Sequence, residues 1–312
     1  MALSWSFSGD KCFRRCQRQY YFRQIAAWHN ARDPLRREAF VLKQLKTLEL
    51  WRGLLVHQGI ERFVVPNLQP WQPIAWDEVV LGTKAMMAAQ MRFSAERRYR
   101  TNGVSKSKYP NEYCALVPHE LGQALSDEEV KSVAETIERS FRNLEGMSDL
   151  FSHIRGRSRY WPELPVRVNY DGAAIEVRPD LLFFRAFGKP TIIDWKVYES
   201  TGGTDARLQT ALYGWALYRS GKWSVQNPED VELIEVRLLD PQVIRHRCTD
   251  EVFQELEDRI YRSLDEIRSL CGDGSFGNQE LADYAYANNP STCSYCPFHS
   301  ICKGGMKWER MF

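Results

Sequence analysis

No stretch of this sequence stays apolar for the roughly 18 to 20 residues that a membrane span requires, and charge is reached by Asp10. A helical membrane protein is excluded, and the lack of a leader-like apolar run sets the expectation of a cytoplasmic protein. Net charge is nearly absent too: 42 Lys and Arg stand against 40 Asp and Glu, +2 overall in 312 residues. The chain is therefore no polybasic nucleic-acid binder, and any charged contact surface must be local. There is no internal repeat, no low-complexity tract and no G-x4-G-K-[ST] phosphate loop, so ATP-driven unwinding would belong to another chain. What is present is 44% hydrophobic content, enough for one large domain or a core with an inserted subdomain.

Cysteine is sparse until the end. Cys12, Cys114, Cys248 and Cys271 are scattered, whereas "STCSYCPFHSICKGG" puts Cys293, Cys296 and Cys302 in a C-x2-C-x5-C cluster. In a long chain without an export signal, clustered cysteines bind metal more often than they form disulfides. Three thiolates leave a four-coordinate site one donor short. Cys12 and Cys16, four residues apart, would share a helix face, so spacing does not choose between them. His299 offers a Cys3His zinc alternative, and thiolates suit zinc and iron–sulfur clusters equally by softness.

Residues 10 to 65 read mostly helical, with a break near "ARDPL" and a second helix running through "REAFVLKQLKTLELWRGLLVHQGIERFV". Residues 76 to 100 are helical again, and "SDEEVKSVAETIERSFRNLEGM" is a helix with Ser126 as its N-cap. Then "ELPVRVNY", "AAIEVRPDLLFFR" and "TIIDWKVYE" alternate as three strands of a β-meander, joined by the Asp171-Gly172 turn and by "AFGKP". "DARLQTALYGWALYRSG" is a helix closed by Gly221, "VELIEVRLL" and "QVIRHRCT" are strands, and "DEVFQELEDRIYRSLDEIRSLCG" is a long amphipathic helix. The order predicts an α/β (α+β) fold with a helical insertion between about residues 65 and 150.

"EVRPDLLFFRAFGKPTIIDWKVYES" concentrates the chemistry. Asp180 follows a proline. Asp194 and Lys196, two apart on a strand, project from one face while Trp195 takes the other. Two aspartates on neighbouring strands are costly to bury without a cation, and a hard divalent ion accepts such carboxylates plus phosphate oxygens and water. It would polarise a phosphodiester and lower the pKa of a bound water, with the lysine offsetting developing charge. Spacing alone equally allows an outward-facing salt bridge. His57 lies on an apolar helix, Glu163 at the start of the first strand, and Gln209 and Tyr213 one turn apart on a helix face. Taken singly, the histidine reads as a core residue and Glu163 as a surface acid.

Together and in this order these residues resemble the RecB/AddB-type branch of the PD-(D/E)xK nucleases, including the iron–sulfur exonucleases of CRISPR adaptation. The likeness rests on the His57 helix, Glu163, the "RPD" of Arg178-Pro179-Asp180, the "DWK" of Asp194-Trp195-Lys196 and the Q-x3-Y of Gln209 and Tyr213. It implies a restriction-endonuclease-like core, a central mixed sheet flanked by helices, with a helical insertion and an iron–sulfur-stapled N/C-terminal region. The division it implies is 1–64 (N-terminal helices and His helix), 65–150 (insertion), 151–270 (nuclease core) and 271–312 (cysteine tail).

The resemblance further implies Mg²⁺ or Mn²⁺ held by His57, Asp180, Asp194 and the Trp195 carbonyl, with Lys196 as the catalytic lysine. Gln209 and Tyr213 would position substrate, and Glu163 would support the edge of the site. A 4Fe–4S cluster would bind Cys16, Cys293, Cys296 and Cys302; Cys16 is preferred over Cys12 for the basic and aromatic residues after it, although Gln17 stands where the family has proline. The implied function is a DNA nuclease, an exonuclease or end-processing enzyme favouring single strands, in repair, recombination or antiviral defence, beside a helicase or a defence-complex subunit and with no membrane. The alternative is a DNA-binding scaffold subunit with little activity of its own, and an RNA nuclease is a third possibility. "CFRRCQRQYYFR" and "RRYRTNGVSKSKY", which interleave cations with rings, would suit a single-strand groove or equally be solvated helix faces and core aromatics.

Overall fold

The computed structural model describes residues 3–69, 72–156, 159–184, 189–198, 204–223, 225–272, 275–294 and 296–302. A two-residue strand, β1 (Ser4–Trp5), precedes helix α1 (Phe7–Arg15). The Ser6 hydroxyl starts α1 by accepting the Gly9 N–H at 3.1 Å. The helix stops at Cys16, whose backbone is extended, and α2 (Gln17–Tyr20) and a π-helical turn, Tyr21–Ala26, follow. Asp33 then caps α3 (Pro34–Leu42), with Pro34 in the first turn.

The single helix expected through "REAFVLKQLKTLELWRGLLVHQGIERFV" is in fact two. The chain leaves helix at Lys43 and restarts as α4 (Leu48–Gly59), where the Thr47 hydroxyl accepts the Leu50 N–H at 3.3 Å. Between them the Lys46 N–H donates to the Ala115 carbonyl at 2.9 Å and its carbonyl accepts the Val117 N–H at 3.0 Å. A cap and a bridge thus satisfy groups that a continuous helix would have paired, and apolar periodicity does not report either. Helices α5 (Trp76–Ala95), α6 (Val117–Glu120), α7 (Asp127–Glu145) and α8 (Ser148–Ile154) occupy the expected helical region. At α7 the capping box is complete, with Ser126 and Glu129 each accepting the other's N–H at 3.2 and 2.8 Å.

The strands are β2 (Tyr160–Pro162), β3 (Val166–Tyr170), β4 (Ala173–Val177), β5 (Leu181–Phe184) and β6 (Pro190–Lys196). Helix α9 (Thr204–Arg219) leads to β7 (Glu232–Arg237) and β8 (Gln242–His246), then α10 (Asp250–Cys271) and the one-turn helices α11 (Ser291–Ser294) and α12 (His299–Cys302). They form a central five-stranded mixed sheet, β2-β5-β6-β7-β8, and a three-stranded sheet, β1-β4-β3. The expected meander is therefore divided. Val177 ends one ladder and Leu181 begins another against Ile193, because Pro179 has no N–H to donate and restricts the residue before it. Of the expected turns, residues 186–188 of "AFGKP" lie outside the described residues. Strand β2, which pairs with β5 from Tyr160 to Pro162, was not foreseen, and it puts Glu163 after a strand rather than at the start of one.

Two compact units result. The first draws on Met1–Leu45, Asn169–Glu176 and Glu257–Phe312, the second on Lys46–Val168 and Val177–Leu256. In the second unit, Ile193 and Trp195 of β6 and Ile234 and Val236 of β7 share a core with Trp51 and Leu55 of α4. Gly59 sets the depth of α4: a Cβ there would meet Thr83 Oγ1 at 2.4 Å and Phe141 Cζ at 2.7 Å, so only glycine allows this approach to α5 and α7. His57 lies two residues earlier and inherits that placement. The Trp51 indole N–H and the Gln90 amide continue the packing as hydrogen bonds of 2.8 Å, to Gln90 and Gln58.

In the first unit the two chain ends are interlocked. Asp10, 1% exposed, accepts from Ser263 at 2.8 Å, Arg14 at 2.9 Å and Arg259 at 3.0 Å. A carboxylate so deep is tolerable only with such partners. Phe22 stacks on Phe298 at 5.6 Å, and the Arg18 N–H donates to the Ala285 carbonyl at 3.2 Å. Among the described residues no helix is long and apolar enough to cross a membrane.

Candidate metal and cysteine sites

The second unit brings together the residues singled out in its sequence. Asp180 sits at the break before β5, antiparallel to β6, and its Oδ2 accepts the Trp195 N–H at 2.7 Å. Its Oδ1 lies 3.3 Å from Nδ1 of His57 on α4. Glu163 closes the group: ligand atoms of His57, Glu163 and Asp180 all lie within 4.8 Å of one another. Glu163 reaches that point with a left-handed backbone, φ 49°, an uncommon conformation for a residue with a side chain. On β6, Asp194 is 2% exposed, and its Oδ2 takes Lys196 Nζ at 2.5 Å and, at 3.5 Å, the Thr210 hydroxyl from α9. The Trp195 ring is buried on the opposite face. Gln209 and Tyr213 are both half-buried on α9.

Charge accumulates here faster than partners do. Burial, then the nearby Asp180 carboxylate, pushes both Asp194 and Glu163 up to about 7. Burial would also raise Asp180, but His57 and the Trp195 N–H outweigh it and hold that carboxyl low. His57 is lifted to about 9, since Asp180 overcomes the opposing effect of burial. Lys196 likewise stays above its ordinary value through Asp194 despite its own burial. The Tyr213 phenol is pushed well up by burial and next by the charges of Asp194, Asp180 and Glu163. A divalent cation relieves such repulsion, and the donor set of carboxylates and one imidazole suits it.

Metal-free protein should therefore lose stability as pH rises. Glu163 and Asp194 titrate near 7 when folded, against ordinary values of 4.5 and 3.8, so the folded chain holds protons that the unfolded chain has released. Their stabilising contribution is complete below those ordinary values and disappears as pH passes about 7. His57 acts in the same direction through about 9, and Asp180, ionised throughout, does not offset it. Melting in chelator should show Tm falling between about pH 5 and pH 8, with Mn²⁺ restoring it at the upper end. A flat or rising Tm in chelator would contradict this electrostatic account.

The first unit gathers the cysteines. Burial, opposed by the Phe298 backbone hydrogen bond and reinforced by the neighbouring Cys16, Cys302 and Cys293, pushes the Cys296 thiol up to about 12. Cys12 is also raised by burial, against the lowering effect of Arg15 and Arg23, and Cys16 adds to the rise. Cys16 owes its placement to the helix break, where its Sγ accepts the Gln19 N–H at 3.4 Å. The Gln19 amide in turn donates to Cys296 Sγ at 3.6 Å and accepts from Arg15 at 2.6 Å. Gln19 carries no signal in the sequence beyond its position three residues after Cys16. Gln17, where the resembling family has proline, accepts the Ala285 N–H at 3.0 Å and so ties the chain ends directly. The His299 side chain is exposed.

The basic and aromatic stretches are mostly structural. Phe13, Tyr20, Tyr21 and Phe22 are buried, and Tyr99 is buried with its hydroxyl donating to Glu120 at 2.8 Å. Arg98 lies over the Phe93 and Tyr109 rings. Most of these rings thus pack inside, with Tyr109 half-buried, which favours the core reading of these stretches.

A mixed sheet carrying an RPD aspartate, a D-x-K pair on the adjacent strand and a facing helix with Q-x3-Y defines a metal-dependent nuclease core. The model of the PD-(D/E)XK nuclease superfamily matches residues 4–303, and the chain belongs to that superfamily. No curated protein matches the chain. Among solved structures, the crystal structure of SSO0001 is similar over 70% of this chain and 97% of that one, with a TM-score of 0.32 and 15% identity. Similarity that remote carries no function across.

Proposed function

We propose that this protein is a Mg²⁺- or Mn²⁺-dependent deoxyribonuclease that processes DNA ends or digests them as an exonuclease, favours single strands, and carries a structural 4Fe–4S cluster. The observation that carries the proposal is the group of His57, Glu163 and Asp180, tied through the Trp195 N–H to the strand that carries the Asp194–Lys196 pair. His57, Asp180 and Asp194, with the Trp195 carbonyl, are the proposed metal ligands, and the position of Glu163 makes it a further candidate. A bound divalent cation supplies Lewis-acid polarisation of the scissile phosphate and a nucleophilic water at neutral pH. Lys196, protonated, donates to the phosphoryl oxygens as charge develops on them. The Trp195 N–H fixes the orientation of Asp180. The Tyr213 phenol keeps its proton and can donate it toward the substrate, and Gln209, one turn away, positions the strand.

For the cluster, Cys296 with the three cysteines that act on it, Cys16, Cys293 and Cys302, fits the donor set, and N–H groups directed at Cys16 and Cys296 are of the kind that stabilise cluster sulfurs. The exposed His299 gives no support to a Cys3His zinc site. A single-strand preference is supported by Trp28, 42% exposed and in contact with His29, which also packs on Phe40. Work in repair, recombination or defence, in the cytoplasm and beside a helicase or defence-complex subunit, extends the family resemblance.

The test is to purify the protein anaerobically and supply labelled single-stranded DNA, duplex DNA and RNA with Mn²⁺ or Mg²⁺, with and without chelator. DNA cleavage that chelator abolishes is expected. Tight DNA binding without cleavage in either metal would favour the scaffold alternative, and cleavage of RNA alone would replace the substrate.

A further inference from the structure

Strands β6 and β7 are parallel, with Asp194 opposite Glu235 and Lys196 opposite Arg237. Residues opposite each other on neighbouring strands, about 4.8 Å apart, present their side chains to the same face. The E-x-R of β7 thus repeats the D-x-K of β6 one strand further on. Glu235 is 1% exposed and meets Arg237 Nε at 2.8 Å and His246 Nε2, from β8, at 3.0 Å. The strand end is fixed as well, because the Lys196 carbonyl accepts the Leu238 N–H at 2.8 Å. Tyr198, two residues past Lys196, lies in the field of Glu235, Lys196, Arg237 and Asp194, in that order of effect after its own burial.

A buried carboxylate shared by two bases is a rigid device, because displacing either base strands a charge. Here it engages Nε of Arg237, and among the described residues the two terminal nitrogens make no hydrogen bond or ion pair, although Tyr198 and the Asp240 carboxylate act on the guanidinium from further off. A guanidinium held by Nε offers those nitrogens as a planar fork that matches two phosphate oxygens. Nucleic acid carries a phosphate at every nucleotide, so a site that cuts one must accommodate the next. Contacts to flanking phosphates set register without reading sequence.

We propose that Arg237, locked by Glu235 and His246 beside Lys196, binds the phosphate adjacent to the one that is cut, with the Tyr198 hydroxyl as a second donor. The subsite takes a phosphodiester of single-stranded DNA and rests on the nuclease assignment. Arg237 touches substrate; Glu235 and His246 are positioning residues.

The test uses a labelled single-stranded oligonucleotide whose cut position has been mapped with the parent protein, and a set of copies with one neutral methylphosphonate at each successive linkage around that cut. The parent should lose about tenfold to a hundredfold in kcat/KM at one flanking position, the loss expected for one charge-assisted contact. Arg237→Gln should show that loss already on the unmodified strand and no further loss at that position, while keeping the parent's losses elsewhere. Arg237→Lys, which retains a charge to pair with Glu235 and so protects the fold, should be intermediate at the same position. Equal loss at every position for both variants, or parental activity in both, would overturn the subsite and leave the nuclease standing. No cleavage by the parent protein would overturn both.

Discussion

Replacing Lys196 by alanine is expected to lower single-turnover DNA cleavage by about 10²- to 10³-fold while leaving DNA binding in Ca²⁺ nearly intact. The ammonium is the cation nearest Asp194, at 2.5 Å, and it is held protonated there. Its removal deletes a donor to the transition state. It also leaves Asp194 buried beside Asp180 with less to offset their repulsion, so the proton on Asp194 becomes harder to remove and metal affinity falls with it. Saturating Mn²⁺ separates the two effects: the loss that persists at saturation belongs to the chemical step. A variant that cuts at the parental rate in saturating Mn²⁺ would remove Lys196 from catalysis.

Replacing Cys296 by serine is expected to have the second large effect, on the first unit. Iron per chain and visible iron–thiolate absorption should collapse, and Tm should fall by about 5 to 15 °C, taking a tie between distant chain segments to be worth as much as a disulfide. Cys12→Ser is the control. Its thiol is buried, donates to Gln19 at 3.6 Å and lies outside the proposed ligand set, so iron content should survive. Equal iron loss in both variants would make Cys12 a ligand, and unchanged iron in the Cys296 variant would remove the four-thiol site. Zinc in place of iron in the anaerobic parent would keep the ligands and change the metal.

Much of the site was legible because its residues lie in short local patterns. D-x-K places two side chains on one strand face whatever the surroundings, and Q-x3-Y does the same on a helix. Ser126 as a cap needed only the three acids that follow it. Glu163 was less legible: the sequence shows an acid beside "ELPVRV", but its nearness to His57 and Asp180 depends on an unforeseen strand and on a left-handed backbone. The E-x-R of β7 was visible as alternation. Its relation to D-x-K was not, because parallel register is set through the α9 crossover.

The sequence by itself determined most element types, the superfamily motifs and the three-thiol tail, since each depends on neighbours a few residues apart. Only the tertiary structure decided that α4 begins afresh at Thr47, that the rings of "CFRRCQRQYYFR" are core, and that Cys16, Cys293 and Cys302 act on Cys296. It also decided that Glu163 and Asp180 meet beside His57, and that Asp180 and burial raise Glu163 and Asp194 to about 7. The physical reason is range. Dihedral preference and side-chain periodicity act along the chain, whereas burial and charge repulsion depend on what the fold brings close from elsewhere in it.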